Sequence, residues 1–145
     1  MGFMSKLFGG KDYPELDGAS PASEALKRHM DQLEPFVQKV KDNLEIVSGD
    51  QNLYVYIGKP PSAFGLAWFE NGRDVNLKSL ISERGLSQPQ AASLAGKLGE
   101  VYTNNSAAQR FSTAIAGKTI TVTPSEKLAA SIGQVLREAV GTDNR

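Results

Sequence analysis

The chain of 145 residues contains no cysteine, one histidine and one tryptophan, and it has no excess of either charge sign. The absence of cysteine excludes disulfides, thiol chemistry and iron–sulfur ligation, and a single histidine makes a transition-metal site improbable. Sixteen basic and sixteen acidic residues give a formal net charge of zero. Because nucleic-acid affinity depends on clustered cations that neutralise phosphates, this balance argues against a nucleic-acid binder.

Long hydrophobic runs are also missing. The apolar start of the chain, residues 1–8, is much shorter than the roughly 20 residues that a transmembrane helix needs, and too short for a signal peptide. Lys6 stands where an N-myristoylation motif has Ser or Thr. We therefore expect a cytoplasmic protein without a transmembrane segment. Weak peripheral contact with a membrane would use the apolar N-terminal residues Phe3, Met4, Leu7 and Phe8.

The composition that is present is that of a globular protein, with 40% hydrophobic residues, 14 glycines and 7 prolines. This composition excludes intrinsic disorder, and the length fits a single domain. Residues 9–19 are rich in turn formers and show no apolar period. We therefore expect a flexible N-terminal segment over residues 1–19, one domain over residues 20–141 and a short tail over residues 142–145.

The domain begins with a helical pattern. Ser20-Pro21 has the form of an N-cap followed by proline at the first helical position. Pro35 lies inside the pattern and should kink the helix or split it in two. Apolar residues recur every three or four positions, at Ala22, Leu26, Met30, Leu33, Val37, Val40 and Leu44.

Between residues 44 and 77 the hydrophobic period changes from about 3.6 to about 2, which predicts a meander of three or four strands. Turn residues at 48–50 and the connection at 58–62 separate the first three strands. Asn71-Gly72 predicts a two-residue hairpin, since both residue types accept the positive φ of a type I′ turn.

The rest of the chain returns to helical spacing and then forms a second hairpin. Apolar residues at helical spacing over 77–85 are followed by Ser87 and Gln90, a capping-box pattern ahead of a longer helix. Strand patterns cover residues 110–116 and 119–123. A second capping-box pattern, Thr123 to Glu126, precedes the last helix, which Gly141 should close.

This element order predicts an α+β fold. We expect an antiparallel sheet of five or six strands, built from the meander and the hairpin, with an N-terminal helix, one or two middle helices and a C-terminal helix. The order resembles that of the small dimeric secretion chaperones, which run helix, three strands, helix, two strands, helix. The likeness is one of topology without a shared sequence motif, and those chaperones are typically acidic whereas this chain is neutral. The resemblance implies a dimeric protein-binding domain.

No catalytic motif is complete. Residues 116–119 end like a phosphate-binding loop, but Ser112 stands where that motif needs glycine, and both flanks have strand patterns. Ser20 is explained as a helix cap, and the lone His29 as a packed or solvated residue. The acidic loop residues Asp12, Glu15 and Asp17 lack the calcium-binding EF-hand pattern. We predict no catalytic, metal-binding or cofactor-binding residue.

Small residues form stripes on the two later helices, Ala92 with Gly96 and Gly99, and Ala129 with Gly133. A glycine in a helix interior costs about 1 kcal/mol relative to alanine. We therefore expect close packing of these helices to compensate, and the substitution Gly96→Leu to lower the melting temperature.

The two middle strands of the meander carry large apolar side chains on both sides. An antiparallel sheet with one wet face would instead alternate apolar and polar residues. We call Tyr54, Tyr56, Phe64 and Trp68 the aromatic set; alternation separates it from Leu53, Val55, Ile57 and Phe69. Something must cover the aromatic set: the chain's own helices, a second subunit or another partner.

The first function hypothesis is a non-enzymatic protein-binding or adaptor domain, chaperone-like and self-associating as a homodimer through the aromatic set. Three cations at hairpin turns, Lys59, Arg73 and Lys118, would add a cationic patch if the turns converge. The alternative hypothesis is a small enzyme or metabolite-binding protein with a site near residues 58–62. The predicted partner-binding residues are Tyr54, Tyr56, Phe64, Trp68, Lys59 and Arg73.

Overall fold

The structure, a computed structural model, describes residues 13–49, 52–70 and 72–139. The described helices are α1 (Pro21–Arg28), α2 (Met30–Lys39), α3 (Leu77–Arg84), α4 (Gln88–Asn104) and α5 (Glu126–Ala139). The described strands are β1 (Leu44–Ser48), β2 (Leu53–Lys59), β3 (Ala63–Glu70), β4 (Arg73–Asn76), β5 (Phe111–Ile115) and β6 (Lys118–Pro124). The predicted α+β fold class is confirmed. No helix in the described ranges has the length and apolar character needed to cross a membrane.

All six strands belong to one sheet, in the order β4-β3-β2-β1-β6-β5. The meander β1–β4 and the hairpin β5–β6 are antiparallel, as predicted, but the pair that joins them, β1 with β6, is parallel. The chain leaves the meander at one edge of the sheet and passes through α3 and α4 before it forms β5 at the other edge. Such a long crossover lets β6 lie beside β1 in the same direction, so the sheet is mixed.

Helices cover both faces of this sheet. One face packs against α1 and α2, and the other packs against α3, α4 and α5. The first core includes Leu33, Phe36, Val55 and Ala67. The second core includes Leu80, Leu98, Ile132, Tyr56 and Leu66. The two-sided apolar pattern of the middle strands therefore corresponds to two separate cores.

The first helical pattern divides at His29 and not at Pro35. The Ser20 side chain caps α1 by accepting a hydrogen bond from the backbone N–H of Ser23, and His29 ends this helix by donating its backbone N–H to the carbonyl of Leu26. Pro35 lies inside α2. The predicted break is real, but it falls six residues earlier than proline.

Part of the N-terminal segment that we expected to be flexible is docked on the sheet. Residues 14–16 run parallel to the outer edge of β5, where the backbone N–H of Leu16 donates to the carbonyl of Ser112 at 2.8 Å. The backbone N–H of Ser112 donates to the carbonyl of Pro14 at 2.8 Å, and the Leu16 side chain is buried. Residues 1–12 and residues 140–145, including the predicted apolar N-terminus and C-terminal tail, lie outside the described residues.

A buried polar network connects the two parts of the sheet to α4. One oxygen of the Glu45 carboxylate accepts hydrogen bonds from Arg110 Nε at 2.9 Å and from the Thr123 hydroxyl at 2.5 Å. The other oxygen accepts from the Tyr102 hydroxyl at 2.6 Å. Burial, and then the hydrogen bond to Glu45, raise the pKa of Tyr102 to about 12. The network ties β1, β6 and the segment before β5 to the helical layer.

This network also corrects the predicted cap of the last helix. Thr123, which we expected to be the N-cap, lies in β6 and is fully buried beside Glu45. The Ser125 hydroxyl instead accepts a hydrogen bond from the backbone N–H of Leu128, and α5 begins at Glu126. The strand therefore ends one residue later than the sequence pattern indicated, at Pro124, and the helix begins two residues later, at Glu126.

The close helix packing expected from the small-residue stripes occurs at Gly99 and Gly133 but not at Gly96. A Cβ placed on Gly99 would lie 3.1 Å from the Pro61 carbonyl oxygen, and one on Gly133 would lie 2.9 Å from the Tyr54 hydroxyl. Gly96 is exposed and has no neighbour within 4 Å of such a Cβ. Close packing at Gly96 was the reason to expect that Gly96→Leu destabilises the fold, and that reason is wrong.

We predict opposite effects for two substitutions on α4. Gly99→Leu should lower the free energy of unfolding by about 1–3 kcal/mol, because the side chain must displace the Pro61 backbone. Gly96→Leu should leave it unchanged or raise it by up to about 1 kcal/mol, because the site is open and leucine is the better helix former. Urea unfolding followed by circular dichroism measures both, and equal losses would contradict this packing.

The Glu45 network makes a second prediction about stability. Arg110→Ala should cost about 3–5 kcal/mol, because it leaves a carboxylate that is 11% exposed without its cation. The control is Arg73→Ala, which removes the ion pair between Arg73 and Glu83. Their side chains are 66% and 52% exposed, so the substitution should lower the free energy of unfolding by less than about 1 kcal/mol. A loss for Arg110→Ala no larger than that of the control, in the same urea titration, would show that the network contributes little.

Candidate functional site

The aromatic set is covered by the chain's own helices. Tyr54, Tyr56 and Trp68 are buried beneath α3, α4 and α5, and Phe64 is half-buried. Two of their polar groups are hydrogen-bonded within the chain: the Tyr56 hydroxyl donates to the Leu98 carbonyl at 3.0 Å. Trp68 Nε1 likewise donates to the Glu70 carboxylate at 2.8 Å. The sequence analysis allowed the aromatic set to be covered by the chain's own helices, by a second subunit or by another partner. In the structure the chain's own helices cover it.

The three cations at hairpin turns do not converge. Lys59 lies opposite Ala63 at the start of β3, whereas Arg73 lies opposite Glu70 at its end. Seven residue steps of about 3.3 Å separate these positions by about 23 Å. Lys118 is at the Lys59 end, where its ammonium donates to the backbone carbonyls of the segment before β1. The cationic patch made of these three residues is therefore not present.

A groove of about 780 Å³ lies beside Lys59, and we call it the lower groove. Its floor is formed by Ile57, Gly65 and Ala63, and residues 41–43 and 76–78 form its two walls. Phe64 borders it from the strand, so two of the predicted partner-binding residues are found here. This volume is within the range of about 300–1,000 Å³ that is usual for ligand pockets.

The lower groove exists because the α1–α2 layer ends before the sheet does. Ile57 lies opposite Gly65 in the register, on the same face as Val55 and Ala67, which are fully buried under α2. Ile57 and Gly65 are only half-buried, and Ala63 is exposed. Burial therefore falls along both strands towards the β2–β3 turn, and the sheet surface is open there.

The groove is also open at the edge of the sheet. β4 pairs only with the second half of β3, from Ala67 to Glu70. Beside the first half of β3 the described chain provides no strand, and its neighbours are Leu77 and Lys78 at the start of α3. An extended segment of another chain can therefore reach the floor from the side.

The β2–β3 turn that carries Lys59 is held from the opposite face. Gly99 of α4 lets the Pro61 carbonyl approach closely, and the Phe64 ring lies 5.5 Å from the Tyr56 ring, measured between centroids. The backbone N–H of Gly58 donates to the Asn43 carbonyl at 2.8 Å, which connects the floor to one wall. These contacts hold the backbone around the groove in place, and a binding site is more precise on a rigid backbone.

The rim of the groove is positively charged. Lys41, Lys59 and Lys78 are exposed, and none of them forms an ion pair within the described part of the chain. Among the described residues that line the groove Asp42 is the one carboxylate, so three lysines against one aspartate leave an excess of two positive charges there. The chain as a whole is neutral, which makes this corner a local departure from the average.

A second cleft, of about 320 Å³, lies at the opposite end of the sheet, where Tyr54 and Trp68 border it. Arg84 lies 2.6 Å from the Glu70 carboxylate, which also accepts the Trp68 hydrogen bond. Burial acts to raise the pKa of Glu70, but the hydrogen bonds from Trp68 and Arg84 outweigh it and lower the pKa. The charged lining residues Arg84, Arg137 and Glu70 leave an excess of one positive charge in this cleft, against two at the lower groove.

Nothing in either cavity has the arrangement of a metal centre. Across the three described ranges, no group of three or more histidine, cysteine, aspartate or glutamate side chains is placed to hold a metal ion. His29 borders the second cleft, and its Nδ1 lies 3.0 Å from the carbonyl oxygen of Ala25 in α1, the helix that His29 ends. This contact is the packed role expected for a lone histidine.

Sequence reasoning missed Lys41, Lys78 and Gly65 as site residues. The two lysines are 37 positions apart and meet at one groove only through the register of the meander. Gly65 carried a usable signal, since a glycine inside a strand often marks a place where something else approaches the backbone.

We predict that Lys118 fixes one wall of the groove. Its ammonium donates to the carbonyls of Val40 at 2.9 Å and of Asp42 at 2.5 Å. Lys118→Met should therefore speed amide hydrogen exchange in residues 41–43 by about fivefold, which corresponds to about 1 kcal/mol of local stability. Hydrogen–deuterium exchange with mass spectrometry measures this, with the exposed Lys97→Met on α4 as the control. Equal exchange in the two variants would show that the wall does not depend on Lys118.

Comparison with known proteins does not extend this description. No protein-family model, no curated protein and no solved structure matches the chain. The function is therefore argued from the geometry and charge of the lower groove.

Proposed function

We propose that the protein is a non-enzymatic protein-binding domain, an adaptor or chaperone-like module, that holds an extended segment of a partner protein in the lower groove. The observation that carries the proposal is the open apolar floor at Ile57 and Gly65, bordered by a lysine rim. An apolar centre inside a polar rim is the usual arrangement of a protein-binding surface. The absence of cysteine fits a cytoplasmic setting, which is part of the proposal.

The shape of the groove favours an extended segment over a folded partner surface. From the wall before β1 to the wall at α3, the groove crosses three strand spacings of about 4.8 Å, or about 14 Å. Four or so residues of extended chain, at about 3.3 Å each, span this distance. The supported turn at Pro61 means that the groove need not be ordered on binding, which favours affinity.

The enzyme alternative near residues 58–62 has less support from the same groove. Among the described residues that line it, lysine and aspartate could act as nucleophile and base, but no ion pair joins Asp42 to Lys41, Lys59 or Lys78. Nucleophilic and general-base chemistry usually places a nucleophile and a base within hydrogen-bonding distance of each other. The lining is better suited to holding a ligand than to transforming it.

Self-association through the aromatic set is not part of the proposal. The argument for a second subunit was that the aromatic set needed a cover, and α3, α4 and α5 provide that cover within one chain. A second copy of the chain in the lower groove is instead treated as an outcome of the test below.

The test blocks the floor of the groove by a substitution that the fold tolerates. A Cβ on Gly65 would make only ordinary contacts, with Ile57 atoms at 3.9 Å, so Gly65→Leu should fill the groove without strain. Gly96→Leu, at an open and exposed position on α4, is the matched control. A phage-displayed library of random peptides is selected on the immobilised wild-type protein and on both variants.

We expect peptides to be enriched on the wild-type protein and on Gly96→Leu but not on Gly65→Leu. Absence of enrichment on the wild-type protein, or equal enrichment on Gly65→Leu, would contradict the proposal. Light scattering of the three proteins identifies a second copy as the occupant. A wild-type dimer that becomes a monomer only in Gly65→Leu would replace the proposed partner with the chain itself.

A further inference from the structure

We infer that the segment taken by the lower groove is acidic, with aspartate or glutamate residues on either side of an apolar residue. This inference rests on the proposed function and specifies the chemistry of the partner. Its basis is the placement of the three rim lysines around an uncharged floor.

The lysines lie on both sides of the floor. Leu44 of β1 lies opposite Ile57, which places Lys41 at the wall on the β1 side. Lys78 follows β4 in the first turn of α3 and borders the floor on the β3 side. Lys59 lies between these two walls, two residues beyond Ile57 on the same face of β2. A segment crossing the floor thus passes a cation at each end and one in the middle.

The charge on this rim is available to a partner. Two other lysines are already engaged, since Lys39 pairs with Asp74 at 3.1 Å and Lys118 donates to backbone carbonyls. The rim lysines have no such ion pair within the described residues, and their local excess of two positive charges attracts acidic residues. Each exposed pair is worth at most about 1 kcal/mol, so the lysines select the partner and the apolar floor adds affinity.

The centre of the segment should be apolar. Gly65 has no side chain, and the Ile57 atoms nearest to its virtual Cβ lie 3.9 Å away, so a space remains above the sheet at this point. An aliphatic side chain of the partner placed there would contact Ile57 and be removed from water. The flanking acidic residues then face the rim.

A protein segment fits the lower groove better than a nucleic acid. Single-stranded nucleic acids need aromatic platforms for their bases, and the ring nearest the floor, Phe64, packs against Tyr56 on the other face of the sheet. Three lysines also form a small cluster compared with the basic stripes by which nucleic-acid binders neutralise several phosphates. Single-stranded RNA is the competing ligand, and the test below includes it.

The experiment compares three synthetic probes in a titration of the isotope-labelled full-length protein followed by NMR, which detects weak binding. The first probe is a peptide with a central leucine flanked by glutamates and aspartates. The second is its isostere with glutamines and asparagines, and the third is a short oligouridine. The protein variants are the triple reversal Lys41→Glu, Lys59→Glu and Lys78→Glu, the control Lys97→Glu on the exposed face of α4, and Gly65→Leu.

We expect the acidic peptide to shift the resonances of the lower groove and to bind about tenfold more tightly than the isostere. The triple reversal should lose at least this factor, Lys97→Glu should change affinity less than about twofold, and salt should weaken the binding. Equal binding of the isostere, abolished by Gly65→Leu, would overturn the acidic preference while the proposed function stands. Tighter binding of oligouridine at the same rim would overturn the inference in favour of RNA. No shift from either peptide, together with an empty library selection, would overturn both proposals.

Discussion

The structure depends on one constraint: the middle strands of the sheet are apolar on both faces. β2 places Leu53 and Val55 on one face and Tyr54 and Tyr56 on the other, and all four are buried. A sheet built from such strands cannot leave one of its faces exposed to solvent, so a second helical layer is required. The long crossover through α3 and α4 provides that layer, and it also carries the chain to the far edge of the sheet.

The cover on the two faces is unequal, and the candidate site follows from this inequality. The face under α4 and α5 is closed as far as the β2–β3 turn, where Gly99 and Phe64 fix the loop from below. The face under α1 and α2 is closed only as far as Val55 and Ala67. The uncovered corner beyond these residues has a floor without charge and a rim of lysines, which is a combination suited to recognition.

Local signals in the sequence predicted the elements well. Asn71-Gly72 indicated a two-residue hairpin, and Glu70 does pair with Arg73 across it. Ser87 with Gln90 indicated a capping box, and both of its hydrogen bonds are present. The alternation that separated the aromatic set from the other apolar residues matches the two cores. Each of these signals depends on the conformation of a few neighbouring residues.

The features that could not be predicted from the sequence depend on contacts between residues that are far apart in the chain. Thr123 fitted a cap pattern, but Glu45, 78 positions away, uses its hydroxyl in a buried network. The lysine rim depends on strand register and on where α2 ends. The residues next to each lysine in the sequence indicate neither of these. The positions of Lys59 and Arg73 were a different matter: successive turns of a meander lie at opposite ends of the sheet, so their separation followed from the predicted topology.

The most direct test of this account is the accessibility of Trp68, the only tryptophan of the chain, to the quencher acrylamide as a function of protein concentration. Trp68 is 8% exposed in a single chain, covered by helices of that chain. The account predicts weak quenching of its fluorescence that does not change on dilution. Quenching that increases as the protein is diluted would show that a second chain covers the aromatic set, and would contradict the account.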